Sequence, residues 1–101
     1  MIEKIRIEKT DNVVTIYFDL SPTDILQYKD LPAIINKIFS ELQNVNADVV
    51  KITGRGPVWL YSAVTHVVAH LTKCVAVYDA VNKKYVIVVS HSPNYHIGDE
   101  Y

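Results

Sequence analysis

Residues 52–59 read Ile52-Thr53-Gly54-Arg55-Gly56-Pro57-Val58-Trp59, a strand end, a glycine-rich turn and a helix start within one short stretch. Just upstream, Ala47 to Ile52 is a β-branched run bounded by Asn46 and Gly54, the composition of a strand buried on both faces at a sheet centre. Downstream, Pro57 opens a helix that runs to about Leu71, with Trp59, Leu60, Ala63, Val64, Val67 and Val68 in its apolar part. Cys74 to Tyr78 is the next apolar strand. Strand, helix and strand in this order predict a right-handed crossover between parallel neighbours.

The rest of the chain builds outward from that unit. Tyr85 to Val89 forms a last strand, joined through Asp79 to Lys84 in a hairpin. Upstream, Ile34, Ile35, Ile38, Phe39 and Leu42 recur at helical spacing and predict a core face. Ser21, Pro22, Thr23 and Asp24 have the order that starts a helix, which Pro32 should interrupt. At the N-terminus, Ile5 and Ile7 alternate with charged residues. Thr10, Asp11 and Asn12 supply a turn, and Val14, Ile16, Phe18 and Leu20 resume a period of two. The expected order is ββαβαββ, a single α/β sandwich over residues 1–101.

A chain of 101 residues with 50% hydrophobic and 21% charged side chains has room for one domain with a real core. Ten basic against eleven acidic residues exclude a protein that coats nucleic acid or an anionic membrane through bulk charge. Any anion site must therefore be local. The single Cys74 forms no internal disulfide, suits a reducing cytosol and reads as a small core residue. The opening MIEKIRIEKT lacks the apolar centre of a signal peptide, and no run reaches the roughly 18 apolar residues that cross a bilayer. A cytoplasmic protein with no membrane partner is expected. The tail Asn94 to Tyr101 is polar and acidic, and either frays or covers an edge.

The glycine turn is the first candidate site. Amides at a helix N-terminus are unpaired, the helix dipole adds positive potential, and glycines let an anion approach the backbone. Arg55 adds a planar, permanent charge. The alternative is an ordinary turn in which Gly54 and Gly56 serve only to reach positive φ. His66 and His70, four apart, project from one helix face with Trp59 and Ser62 further along it, a spacing that can hold one metal ion. Val67 stands where a zinc protease has its glutamate, so zinc proteolysis is not expected. The alternative for the pair is one exposed histidine and one hydrogen-bonded near the helix end. Asp79 ends a strand and His91 follows one, as functional residues of α/β sheets do; taken singly, turn formation accounts better for Asp79 and a solvated loop for His91.

Connectivity adds a constraint. If the strands of residues 47–52 and 74–79 are parallel, Arg55 and Asp79 share one sheet edge, while His70 and His91 share the other. A site that needs both sets has to be assembled between subunits.

Thr53-Gly54-Arg55-Gly56-Pro57-Val58-Trp59-Leu60, the pair His66 and His70, Val75-Ala76-Val77-Tyr78-Asp79 and Val88-Val89-Ser90-His91-Ser92 together resemble the CRISPR ring nuclease 3 family. This is a small CRISPR-associated family first described as a manganese-dependent RNA deadenylating exonuclease. The resemblance covers the C-terminal half in unbroken order. It implies a degenerate Rossmann-like domain related to CRISPR-associated cyclic-oligoadenylate sensors. It also implies a homodimer that forms a tetramer or filament around cyclic tetra-adenylate and cleaves it, switching off ancillary nucleases. By position it makes His70 and Asp79 catalytic, from different dimers, and His91 a further site histidine. Thr53, Gly54, Arg55 and Gly56 would hold the ligand backbone, with Pro57 and Trp59 in the same binding turn. Mn(2+) is the implied cofactor, with His66, His70 and Asp79 as candidate ligands. The family pattern carries an arginine two residues beyond the aspartate, where this chain has Val81, with Lys83 and Lys84 nearby.

In this reading His70 moves protons, and Asp79 either orients the imidazole or binds the metal. Two other functions fit the same residues. One is a non-catalytic sensor or sponge for a cyclic oligoadenylate or short single-stranded RNA. The other is a metal-dependent 3′ exoribonuclease with Tyr61, Tyr78 and Tyr95 as stacking residues.

Overall fold

Asp11 and Asn12 close the first hairpin, with Asp11 at a φ of 53°, a left-handed conformation that aspartate tolerates. Strand β1 (Ile5–Thr10) thus runs antiparallel to β2 (Val13–Asp19), with Ile5 opposite Phe18 and Ile7 opposite Ile16. Ile5, Val14, Ile16 and Phe18 are buried, as the period of two requires. The structure, a computed structural model, describes residues 1–101.

The segment after β2 departs from expectation. Ser21-Pro22-Thr23-Asp24 starts no helix. The Asp24 carboxylate accepts the Ser21 amide at 2.7 Å and Lys4 Nζ at 2.9 Å, while the Asp24 amide donates to the Ser21 carbonyl. These bonds close a turn before any helix can propagate. A 3-10 turn at Tyr28–Asp30 then leads into helix α1 (Leu31–Leu42), and Pro32 lies in its first turn. Pro32 therefore begins this helix instead of interrupting one, because a first-turn residue needs no amide partner. Ile34, Ile38 and Leu42 are buried and Ile35 partly so. Phe39, expected in the core, is 45% exposed because it lies beside that stripe.

Strand β3 (Ala47–Arg55) pairs in parallel with β2 on one side and β4 (Thr72–Asp79) on the other, with Ile52 opposite Ile16 and Val77. Strand β5 (Lys84–Ser90) returns antiparallel, and Lys83 at a φ of 56° helps close the turn. The sheet order is β1-β2-β3-β4-β5, so β3 is central. Helix α2 (Val58–Ala69) ends two residues short of Leu71, since Thr72 already belongs to β4.

Both crossovers advance in the same direction across the sheet, which puts α1 and α2 side by side on one face. Leu60, Val64 and Val68 join Ile34, Ile38 and Leu42 over Val14, Ile16, Val50, Ile52 and Val75. The other face has only a small apolar cluster, Val49, Cys74, Ala76 and Ile87, against which Tyr85 and Tyr95 pack. Cys74 is a fully buried free thiol there. The tail is docked: Gly98 and Tyr101 amides donate to the Ile87 and Tyr85 carbonyls, and the Ile87 amide donates to Asp99, each at 2.9 Å. It satisfies the outer edge of β5. No helix is long and apolar enough to cross a membrane.

Candidate functional site

At the end of β3 the chain must turn under Phe18. Gly54 does so at a φ of 111°, and a Cβ there would lie 2.3 Å from the Phe18 carbonyl oxygen. Glycine is obligatory at that position. Gly56 has no positive φ; a Cβ on it would meet Leu60 Cδ2 at 3.0 Å and the Phe18 ring at 3.3 Å. Its smallness, not left-handed geometry, is what the turn uses. The Tyr61 hydroxyl donates to the Gly54 carbonyl, and its ring stands edge-on to Phe18 at 4.9 Å. Burial pushes that phenol's pKa up, holding it in the donor form.

Pro57 occupies the N-cap of α2 and offers no capping side chain. Its carbonyl accepts from Leu60 and Tyr61, leaving the Gly56, Val58 and Trp59 amides without a protein acceptor. Arg55 is exposed at the same turn and takes part in no ion pair, whereas Arg6, Lys4, Lys73 and Lys84 are matched to Asp19, Asp24, Asp48 and Glu100. Free amides, a helix N-terminus and an unpaired guanidinium form an anion cradle. It opens into a cavity of about 490 Å³ whose far wall is Leu20, Ser21, Pro22, Asp24 and Leu26. Thr53 does not join it: this residue pairs with Tyr17 and is outside the cavity lining. Trp59 lines a neighbouring cavity with Pro57.

The parallel register sets the two sheet edges apart. Ile52 lies opposite Val77, so two residues further on Gly54 comes level with Asp79. Arg55 and Asp79 therefore share the edge that carries the cradle. Asp79 also shapes its hairpin, accepting the Val81 amide at 3.0 Å and Asn82 Nδ2 at 2.8 Å; the Asn82 bond leads in holding its pKa below the usual value. At the opposite edge His66 and His70 are both exposed, with Nε2 atoms 3.2 Å apart. The division into one free and one otherwise bonded histidine is thereby replaced by a mutual pair. The His91 amide donates to the Lys73 carbonyl, which keeps it beside the start of β4 on the His70 edge.

A family model described as CRISPR-associated protein (Cas_csx3) matches residues 20–100. The chain belongs to this family. An uncharacterized protein of Aquifex aeolicus (strain VF5) is 38% identical over 81 residues, a match that spans 80% of this chain and 66% of the relative. No solved structure matches this chain.

In this Cas_csx3 chain the three candidate metal ligands are not brought together. The eight residues of β4 hold its ends about 23 Å apart, with Asp79 at one end and the histidines near the other. No group of three or more histidine, cysteine, aspartate or glutamate side chains could hold a metal ion within the protomer. The two imidazoles supply two ligands of a borderline type, and a hard cation such as manganese would need oxygen donors from elsewhere.

The residues that sequence reasoning missed are the cavity's far wall, Leu20 to Leu26. A signal was available, since the connection leaving β2 must pass the same edge as the one leaving β3; the expectation of a helix there obscured it. Asp24 anchors this wall. The Ser21 amide, then Lys4, hold its carboxyl down to about 2. A depressed folded-state pKa gives stability that is present above the ordinary value of 3.8 and lost as pH falls toward 2. Asp24→Asn should therefore lower the urea midpoint at neutral pH, and its gap from wild type should narrow as the pH falls below 3.8 and close as it passes through about 2. A pH-independent gap would contradict this account.

Proposed function

We propose that this Cas_csx3 protein is a ring nuclease that binds and cleaves cyclic tetra-adenylate, the second messenger of CRISPR defence, in an assembly of dimers. The observation that carries the reading is the cradle of unpaired amides and free Arg55 on the sheet edge that also holds Asp79, with the histidines on the opposite edge. A ligand with four phosphates needs a few local donors per subunit and no basic face, which agrees with a net charge of −1. The one-sided helix layer fits a degenerate relative of the Rossmann-like cyclic-oligoadenylate sensors.

Gly56, Val58 and Trp59 amides and Arg55 would bind phosphate, and tight turn geometry would orient it. His70 would move the proton of the attacking or leaving oxygen, with the adjacent His66 as its partner. Asp79 from another dimer would orient that imidazole, and His91 would be a further histidine of the site. Manganese, where used, would supply Lewis-acid stabilisation of phosphate charge, with Asp79 or the histidine pair among its ligands.

Incubation with cyclic tetra-adenylate, with and without manganese, followed by chromatography tests the reading. Multiple-turnover conversion to linear products is the expected result. Tight binding with full return of intact ligand would instead establish a sensor or sponge, the reading favoured by Val81 at the position of the family arginine. Preferential degradation of single-stranded RNA would establish the exoribonuclease. Val81 is 88% exposed and only its amide is engaged, so Val81→Arg costs the fold nothing. It adds a bidentate fork beside Asp79 and should tighten ligand binding about tenfold, read by calorimetry.

A further inference from the structure

Beside the anion cradle lies a second cavity of about 450 Å³, lined by Asp24, Ile25, Leu26, Gln27, Tyr28, Pro57 and Trp59. Asp24, Leu26 and Pro57 line both cavities, so the two are continuous around Pro57. Their linings differ in kind. The first is polar and presents amide and guanidinium donors, whereas the second presents apolar and aromatic side chains. Tyr28 and Trp59 meet edge-on, with ring centroids 5.1 Å apart and planes at 74°, forming a right-angled aromatic corner. Tyr28 is 79% exposed and Ile25 78%, so apolar side chains face solvent side by side here. The backbone here is also unused: the Ile25 and Leu26 amides donate to no group of the chain. Asp24 Oδ1 is free as well, since Lys4 and Ser21 both bond Oδ2.

We infer that this second cavity is a nucleobase pocket, which takes the base of a nucleotide whose phosphate lies on the Gly54–Trp59 cradle. The inference rests on the nucleotide-ligand reading above and extends it to the base. A flat heteroaromatic ring fills a right-angled aromatic corner by stacking on one ring and meeting the edge of the other. Base stacking on aromatic side chains is sequence-tolerant, so selectivity comes from the rim. There the Ile25 and Leu26 amides offer donors, and Asp24 Oδ1 offers an acceptor for an exocyclic amino group. That combination matches adenine, which presents ring-nitrogen acceptors next to an amino donor. The polar half of the site would then set where the phosphate binds, and the apolar half which nucleotide is accepted.

Trp59 is the single tryptophan of the chain, so its emission reports on the corner that it forms with Tyr28. Titration of the full chain with cyclic tetra-adenylate should quench that emission, in step with binding measured by calorimetry. Tyr28→Ala should weaken binding about tenfold, equivalent to about 1.4 kcal/mol, and Tyr28→Phe should restore it. The exposure of Tyr28 makes both variants safe for the fold, and circular dichroism checks this. Binding by wild type with Trp59 emission unmoved, and equal affinity in Tyr28→Ala, overturns the base pocket and leaves the cyclic-nucleotide reading standing. Absence of any binding by wild type overturns that reading, and the pocket with it.

Discussion

Gly54→Ala should destabilise the protein by about 3 kcal/mol or more, a large share of the roughly 5–15 kcal/mol that a domain of this kind has. Two costs coincide at this residue. Its φ of 111° is open to glycine and strained for any side chain, and the added Cβ would lie 2.3, 2.7 and 2.9 Å from the backbone oxygen, nitrogen and carbonyl carbon of Phe18. Those atoms belong to a paired strand, so they cannot move aside without breaking the β2–β3 ladder. Gly56→Ala is the matched control, because its nearest neighbour is the end of the Leu60 side chain at 3.0 Å, which can rotate. Its cost should be about 1 kcal/mol. Urea denaturation of the two variants measures the difference. Equal, small effects would mean that the turn relaxes and that Gly54 is present for access alone.

Mixing two inactive variants should restore cleavage of cyclic tetra-adenylate. His70→Ala and Asp79→Asn should each reduce turnover about 10²- to 10⁴-fold while leaving binding largely intact. Asparagine is chosen at 79 because its Oδ1 keeps an acceptor for the Val81 amide, while a flipped Asn82 amide can accept from its Nδ2, so the hairpin keeps both bonds. One protomer holds the two residues toward opposite ends of β4, too far apart to act on one phosphate. A site built from both must draw them from different subunits. In an equal mixture, random assortment then completes roughly a quarter of the sites. Recovery of activity on mixing, absent from either variant alone, is the expected result. A mixture as inactive as its parts would mean that His70 and Asp79 do not work in a shared site.

Much of the frame was legible because it rests on local chemistry. Asp11 and Asn12 fix a hairpin, Pro57 fixes a helix start, and the unbroken apolar run from Ala47 fixes a central strand. With those in place the parallel pairing, and the placement of Arg55 and Asp79 on one edge, follow from connectivity. The segment from Ser21 to Pro32 departs from the expected helix for a reason that is partly local. A serine, a proline and an aspartate in that order can cap a helix or close a turn, and here the Asp24 carboxylate is held in a turn by the Ser21 amide and by Lys4, a residue 20 positions away.

The sequence by itself thus determined the strand and helix segments flanking the glycine turn, the buried role of Cys74 and the edges on which the candidate residues lie. Only the tertiary structure decided that His66 and His70 face each other, that Thr53 stays out of the cavity, that the tail seals β5, and that Leu20 to Leu26 supply the second wall of the site. Each of those outcomes depends on where a side chain or amide finds its partner once the sheet has formed. Such partners are set by packing between segments distant in the chain, which local residue patterns do not encode.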